Sequence, residues 1–125
     1  MNPMNSLVIE GNLVRDPMLR TTAKGTPVCN FTVATNRYYK KEDEMVKEVN
    51  FFDVEVWSKI AENCAKNLAK GLGVKIEGRL KQDRWVDDEG KPHNRTKIVG
   101  NHVELKMNFG GKKKEEEREK EEVNV

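Results

Sequence analysis

An all-β fold, five short strands closed into a small barrel with one helix between the third and fourth, is the class this sequence predicts. Three observations lead there. Apolar and polar residues alternate with period two in five separate stretches of the first hundred residues. One stretch between them switches to helical spacing, and three of the strands carry a glycine where a flat sheet would place a side chain.

The strands are read in order from "SLVIEGNLV" (6–14), "VCNFTVATN" (28–36), "NFFDVEVW" (50–57), "VKIEGRL" (74–80) and "TKIVGNHVEL" (96–105). Each is rich in β-branched or aromatic residues and lies between turn signals. The turns are "DP" at 16–17, "KGTP" at 24–27, the charged run "KKEDEMVKE" at 40–48, taken as a solvated hairpin loop, and "DDEGKP" at 87–92. Between the third and fourth strands, "SKIAENCAKNLAKG" sets Ile60, Ala61, Cys64, Ala65 and Leu68 on one helical face, with Ser58 as the expected N-cap and Gly71 as the stop. Glycine inside a strand weakens it unless the backbone bulges, coils tightly or is closely approached. Gly11, Gly78 and Gly100 therefore point to a short sheet forced into a closed barrel. A five-stranded Greek-key barrel with one helix at its end is the OB fold, whose exposed sheet face and loops bind oligonucleotides or oligosaccharides.

The chain of 125 residues is long enough for one small domain, placed at 1–109, followed by a charged tail at 110–125 that is expected to be disordered. With 36% apolar and 35% charged residues the core is small. No stretch approaches the roughly 20 apolar residues that span a bilayer, and "MNPMNSLVIEG" has no signal-peptide core, so a cytoplasmic protein that does not engage membranes is expected. Cys29 and Cys64 have neither CxxC spacing nor a histidine at zinc-ligand distance, and His93 and His102 lack ligand partners, so neither a metal nor any other cofactor is expected. The thiols are read as reduced and half-buried. The net charge of +2 divides into 18 basic against 15 acidic residues in 1–109 and 5 against 6 in the tail, which is not the basic footprint of a duplex-DNA binder.

Parity singles out the functional candidates. In the third strand Phe52, Val54 and Val56 share the apolar face, leaving Phe51, Asp53, Glu55 and Trp57 on the other. In the fourth, continued to residue 86, Val74, Ile76, Leu80 and Val86 point inward, while Arg79, Lys81, Asp83 and Trp85 point outward. Three large rings thus fall on wet faces, among cations. Unstacked bases suit such a surface: each offers a π-face, and stacking on an aromatic side chain contributes roughly 1–3 kcal/mol per base with little regard to sequence. Arg37, Lys40 and Lys41 flank Tyr38 and Tyr39 at the mouth of the charged loop; alternation turns Tyr38 outward and Tyr39 inward with Phe31 and Val33.

"GNLVRDP" (11–17), "NFTVATN" (30–36), "FFDVEVWSKIAEN" (51–63) and "VKIEGRLKQDRWVDDEGK" (74–91) together resemble the bacterial single-stranded DNA-binding (SSB) family over residues 5–107. The resemblance implies stacking by Tyr39, Phe51, Trp57 and Trp85, and phosphate contacts from Lys59, Lys70, Lys81 and Arg84, to which the outward Arg79 and the loop-mouth Arg37, Lys40 and Lys41 are added. For the tyrosines it prefers Tyr39 where alternation prefers Tyr38, a conflict that a bulge or strand end near Arg37 would reconcile. It implies a homotetramer in the nucleoid that binds and protects single-stranded DNA during replication, recombination and repair. Relatives commonly end in an acidic tip with a final Phe that docks replication and repair proteins; "GGKKKEEEREKEEVNV" ends in Val125 without one.

Two rivals remain. The same barrel serves as a primosomal-type adaptor if the aromatic face meets proteins rather than DNA. An enzyme needs a site, and the compact carboxylate cluster Asp87, Asp88 and Glu89 sits beside Gly90 in an expected turn, where acidic residues are ordinary; no catalysis is expected.

Overall fold

Every one of the five expected strands forms, and a sixth joins them. The computed structural model describes residues 2–106; the charged tail expected at 110–125, and the end of the expected domain, lie outside them. The strands are β1 (Leu7–Leu13), β2 (Met18–Thr21), β3 (Pro27–Lys41), β4 (Glu44–Trp57), β5 (Gly73–Val86) and β6 (Pro92–Leu105), with helix α1 (Ser58–Asn67) between β4 and β5. They lie in the order β1-β5-β6-β4-β3-β2, and β1 also pairs with β3, through Asn12↔Ala34 and Leu13↔Val33, which closes the five longer strands into a barrel. Around the barrel β1 and β3 meet, β3 and β4 form a hairpin, and the chain then crosses through α1 to the β5–β6 hairpin. β4 and β6 run parallel across a short seam, Val54↔Ile98 and Glu55↔Val99. This is the Greek-key connectivity of an OB barrel.

The core follows from the alternation. Val33, Val54, Val56, Val74, Ile76 and Ile98 are buried within the barrel, and Ala61 and Cys64 of α1, with Leu68 just past it, pack against them. Burying such side chains contributes roughly 1.5–3 kcal/mol each. Cys29 and Cys64 are fully buried rather than half-buried as expected. Burial, and then the nearby Cys29, pushes the Cys64 thiol up to about 12. The glycines do what a tight barrel asks of them. A Cβ at Gly11 would lie 2.5 Å from the Ala34 carbonyl oxygen, and one at Gly78 would run into that of Val99. At Gly78 the β5–β6 register also slips: Glu77 faces His102 but Gly78 faces Gly100, so Asn101 has no opposite residue.

Several expectations fail, the first of them because the hairpins are longer than the barrel. The run at 40–48 is not a loop. β3 and β4 stay in register from Val28↔Trp57 to Lys41↔Glu44, and the chain reverses over Glu42 and Asp43 alone, both with positive φ (49° and 66°). That is the backbone of a type I′ hairpin turn. Beyond the barrel both faces of the ribbon meet water, so charged residues fill both registers and the alternation disappears. Val86, expected inside, is exposed for the same reason; Leu80 and Phe52, also expected inside, are exposed although they pair with the buried Ile98 and Val33. β2 escaped notice because all four of its residues are exposed, so it has no inward face to alternate with. Ser58 is not the N-cap: Trp57 holds that position without a side-chain cap bond, and Ser58 opens the helix with φ 58°. The helix also stops before Gly71, at the extended Leu68, whose N–H donates to the Cys64 carbonyl at 2.9 Å.

Candidate nucleic-acid interface

Pairing brings the polar registers of four strands onto one outer face. On β4 it carries Phe51, Asp53, Glu55 and Trp57; opposite them on β3 stand Ala34, Thr32, Asn30 and Val28. On β5 and β6 it carries the cross-strand pairs Lys81↔Lys97, Asp83↔Arg95 and Trp85↔His93. Phe51, Trp85 and Trp57 are 64%, 48% and 37% exposed, so the three rings predicted from parity do lie open to solvent.

Each tryptophan has its own support. The Trp85 ring stacks on His93, with centroids 5.5 Å apart and planes within 19° of parallel. His93 is in turn fixed by the Asp87 carboxylate at 2.7 Å. Asp87 also accepts backbone N–H bonds from Glu89 and Lys91, so this one carboxylate of the acidic cluster helps hold the β5–β6 turn together. His93, followed by the Lys91 backbone, holds the Asp87 carboxyl below its ordinary range. The Trp57 indole N–H donates to the Glu55 carboxylate at 2.8 Å.

The face is electrostatically mixed. Asp53 accepts from the Arg95 guanidinium and, at 2.8 Å, from the Thr32 hydroxyl. The Arg95 bond above all, helped by Thr32 and the charges of Arg95 and Arg15, keeps Asp53 below the usual carboxylate range. Lys97 bridges Glu55 and Asp83, with both contacts at 2.6 Å. Burial works to raise Glu55, but the hydrogen bonds from Lys97 and Trp57, aided by the charges of Lys97 and Lys81, outweigh it and leave the group ionised at neutral pH. Burial likewise works to lower Lys97, and its two carboxylate partners more than reverse that. Arg15, Met18 and Arg20, with Asn30 and Thr32, wall the other side of a groove of about 340 Å³ over this network. A larger groove of about 510 Å³, between α1 and the end of β6, contains none of the expected contact residues.

The remaining candidates spread around this face. Tyr38 pairs with Lys47 in the register of Phe51 and is 61% exposed; Tyr39 pairs with Val46 in the opposite register, half-buried, with the Arg37 guanidinium 5.3 Å from its ring centre. The constant register means that no bulge or strand end near Arg37 reconciles the two tyrosines. Lys40 and Lys41 are exposed beside the ribbon turn, and Lys40 lies 3.9 Å from Asp43. Arg79 and Lys81 share the register of Trp85, whereas Arg84 points the other way with Gln82, to which it donates at 3.1 Å. Lys59 is exposed at the start of α1, and Lys70 in the α1–β5 turn donates its backbone N–H to Asp16 at 2.8 Å. Parity in "RTKIV" gives Lys97 an outward register, but only the β4–β6 seam, invisible in the sequence, aims Lys97 and Arg95 at the Asp53–Glu55 edge. Arg15 and Arg20 were missed along with β2.

An OB barrel that opens flat rings among paired charges along one sheet face belongs to the class of barrels that bind oligonucleotides or oligosaccharides. The particular family follows from comparison with known proteins. The Single-strand binding protein family model matches residues 4–106, and this chain belongs to that family. It is 41% identical over 103 residues to the single-stranded DNA-binding protein of Aquifex aeolicus, covering 82% of this chain and 69% of that one. With the Treponema pallidum protein of the same description it is 40% identical over 105 residues, 84% of this chain and 59% of that relative's length. The fold superposes with a TM-score of 0.73 on a solved structure described as Plasmodium falciparum SSB complex with ssDNA, at 23% identity over 84% of this chain and 95% of that one.

Proposed function

We propose that this chain binds and protects single-stranded DNA without regard to sequence, in the service of replication, recombination and repair, and catalyses nothing. Bases lie on Phe51, Trp57 and Trp85 and on one of the two tyrosines. Arg37, Lys40, Lys41, Lys59, Lys70, Arg79, Lys81 and Arg84 approach the phosphates. The observation that carries this reading is the exposure of Phe51, Trp57 and Trp85 together on a sheet face of a barrel of this family. Stacking dominates over charge, because carboxylates already occupy Arg95 and Lys97. The working unit is a homotetramer in the nucleoid, which adds weak sites by tethering rather than by new contacts. No helix among the described residues is long and apolar enough to cross a membrane. The test is a quench titration of Trp57 and Trp85 fluorescence with oligo(dT), oligo(dA) and duplex of equal length, beside a mass measurement of the assembly. Deep quenching by either single strand with little response to duplex is expected; equal affinity for duplex at moderate salt would refute the reading.

A further inference from the structure

Among the described residues Glu55 is the one buried charged side chain, 3% exposed on the face that bears the exposed rings. A buried carboxylate costs several kcal/mol of desolvation, and a well-packed apolar pair in place of it and its cation is often neutral or stabilising. Glu55 and Lys97 are thus an expensive way to join β4 to β6 if joining is their purpose. The geometry shows another use. One carboxylate oxygen takes the Trp57 indole N–H at 2.8 Å while the other takes Lys97 at 2.6 Å, and Lys97 reaches on to Asp83 of β5, also at 2.6 Å. Trp57 is held at the backbone as well, since it ends β4 and is the N-cap of α1, with the next residue in a left-handed conformation. Phe51 has no polar atom by which to be held.

We infer that Glu55 is a positioning residue for Trp57: the chain Trp57–Glu55–Lys97–Asp83 locks the indole rotamer so that one flat face is presented before a base arrives. The inference rests on the proposed stacking role of Trp57. A side chain already held avoids the ordering cost of binding, roughly 0.5–1.5 kcal/mol per side chain, which converts to about a 2- to 12-fold difference in affinity.

The test uses the full chain with Trp85→Phe, so that Trp57 is the single reporter. In this background Glu55→Gln keeps a carbonyl for the indole, whereas Glu55→Val together with Lys97→Met removes the tether without stranding a buried charge. Matched variants carry Trp57→Phe. The double substitution is expected to keep the melting temperature, to weaken the near-ultraviolet circular dichroism of Trp57, to raise its quenching by acrylamide, and to cost about 2- to 12-fold in oligo(dT) affinity. With Phe at 57 the same substitution is expected to cost less than twofold, and Glu55→Gln to recover most of the loss. Equal losses with Trp and with Phe at 57 would overturn the inference in favour of a plain strand-to-strand ion pair, and so would an unchanged Trp57 spectrum. Failure of the parent protein to bind oligo(dT) would refute the proposed function instead, while the DNA-free spectra still decide whether Glu55 holds the ring.

Discussion

Replacing Asp53 by asparagine is expected to tighten binding to single-stranded DNA. Asp53 sits on the ring-bearing face and engages Arg95, whose side chain is 61% exposed against 38% for Asp53, so the pair is reachable by a phosphate. As long as the carboxylate is ionised, Arg95 has a partner within the protein, and a phosphate must compete for it. Asparagine keeps an oxygen for the Thr32 hydroxyl, 2.8 Å away in the native protein, and removes the charge alone. A unit charge at roughly 6 Å from a phosphate in water repels it by about 0.7 kcal/mol, or about threefold in affinity at low salt. Releasing Arg95 adds about one phosphate contact, so the slope of log K against log salt should steepen by about 0.7. Stability should change little, because ion pairs this exposed contribute about 0.2–1 kcal/mol. Oligo(dT) quench titrations at four or more salt concentrations measure both quantities, with a melting curve as control. Weaker binding with an unchanged slope would show that phosphates do not pass Arg95, and the electrostatic argument would fail.

The other expectations concern stability. Glu42→Asn with Asp43→Gly puts the residues that tolerate positive φ at the β3–β4 turn and should stabilise the protein by about 1 kcal/mol, read as a higher urea midpoint with unchanged slope; an equal or lower midpoint would contradict the turn geometry. Asp53 and Glu55 have folded-state pKa values below their unfolded ones, so their stabilisation is complete above the unfolded values and is lost as pH falls through the folded ones. Lys97 is raised, so its share is present at lower pH and disappears as pH rises through its folded value. Chemical denaturation should therefore give a plateau between about pH 5 and 9 with losses on both sides, and Glu55→Val with Lys97→Met should flatten the alkaline shoulder and shrink the acid one to the share of Asp53. An alkaline shoulder that survives this substitution, or an acid one left at full size, would assign the pH dependence to other groups.

The barrel was legible in the sequence because a closed sheet buries one register of each strand: Val54 and Val56, or Val74 and Ile76, leave an alternation that needs no coordinates. The outward rings were legible by the same logic. What escaped lies where a strand has no buried register. β2 and the far ends of the two hairpins are wet on both sides, so Val86 looks like a core residue and "KKEDEMVKE" looks like a loop. The partners of the charged residues were hidden for a different reason. Asp53 and Arg95 are 42 residues apart and meet only because β4 and β6 lie side by side.

That seam also sets how charge is laid along the face. The main chains of β4 and β6 pair over Val54↔Ile98 and Glu55↔Val99, which brings Asp53 to Arg95 and Glu55 to Lys97. Acid from one strand and base from the other therefore alternate across a single line. A substitution that reverses one sign there leaves its opposite number without a counter-charge, and the floor beneath the bases would change its potential at two positions at once.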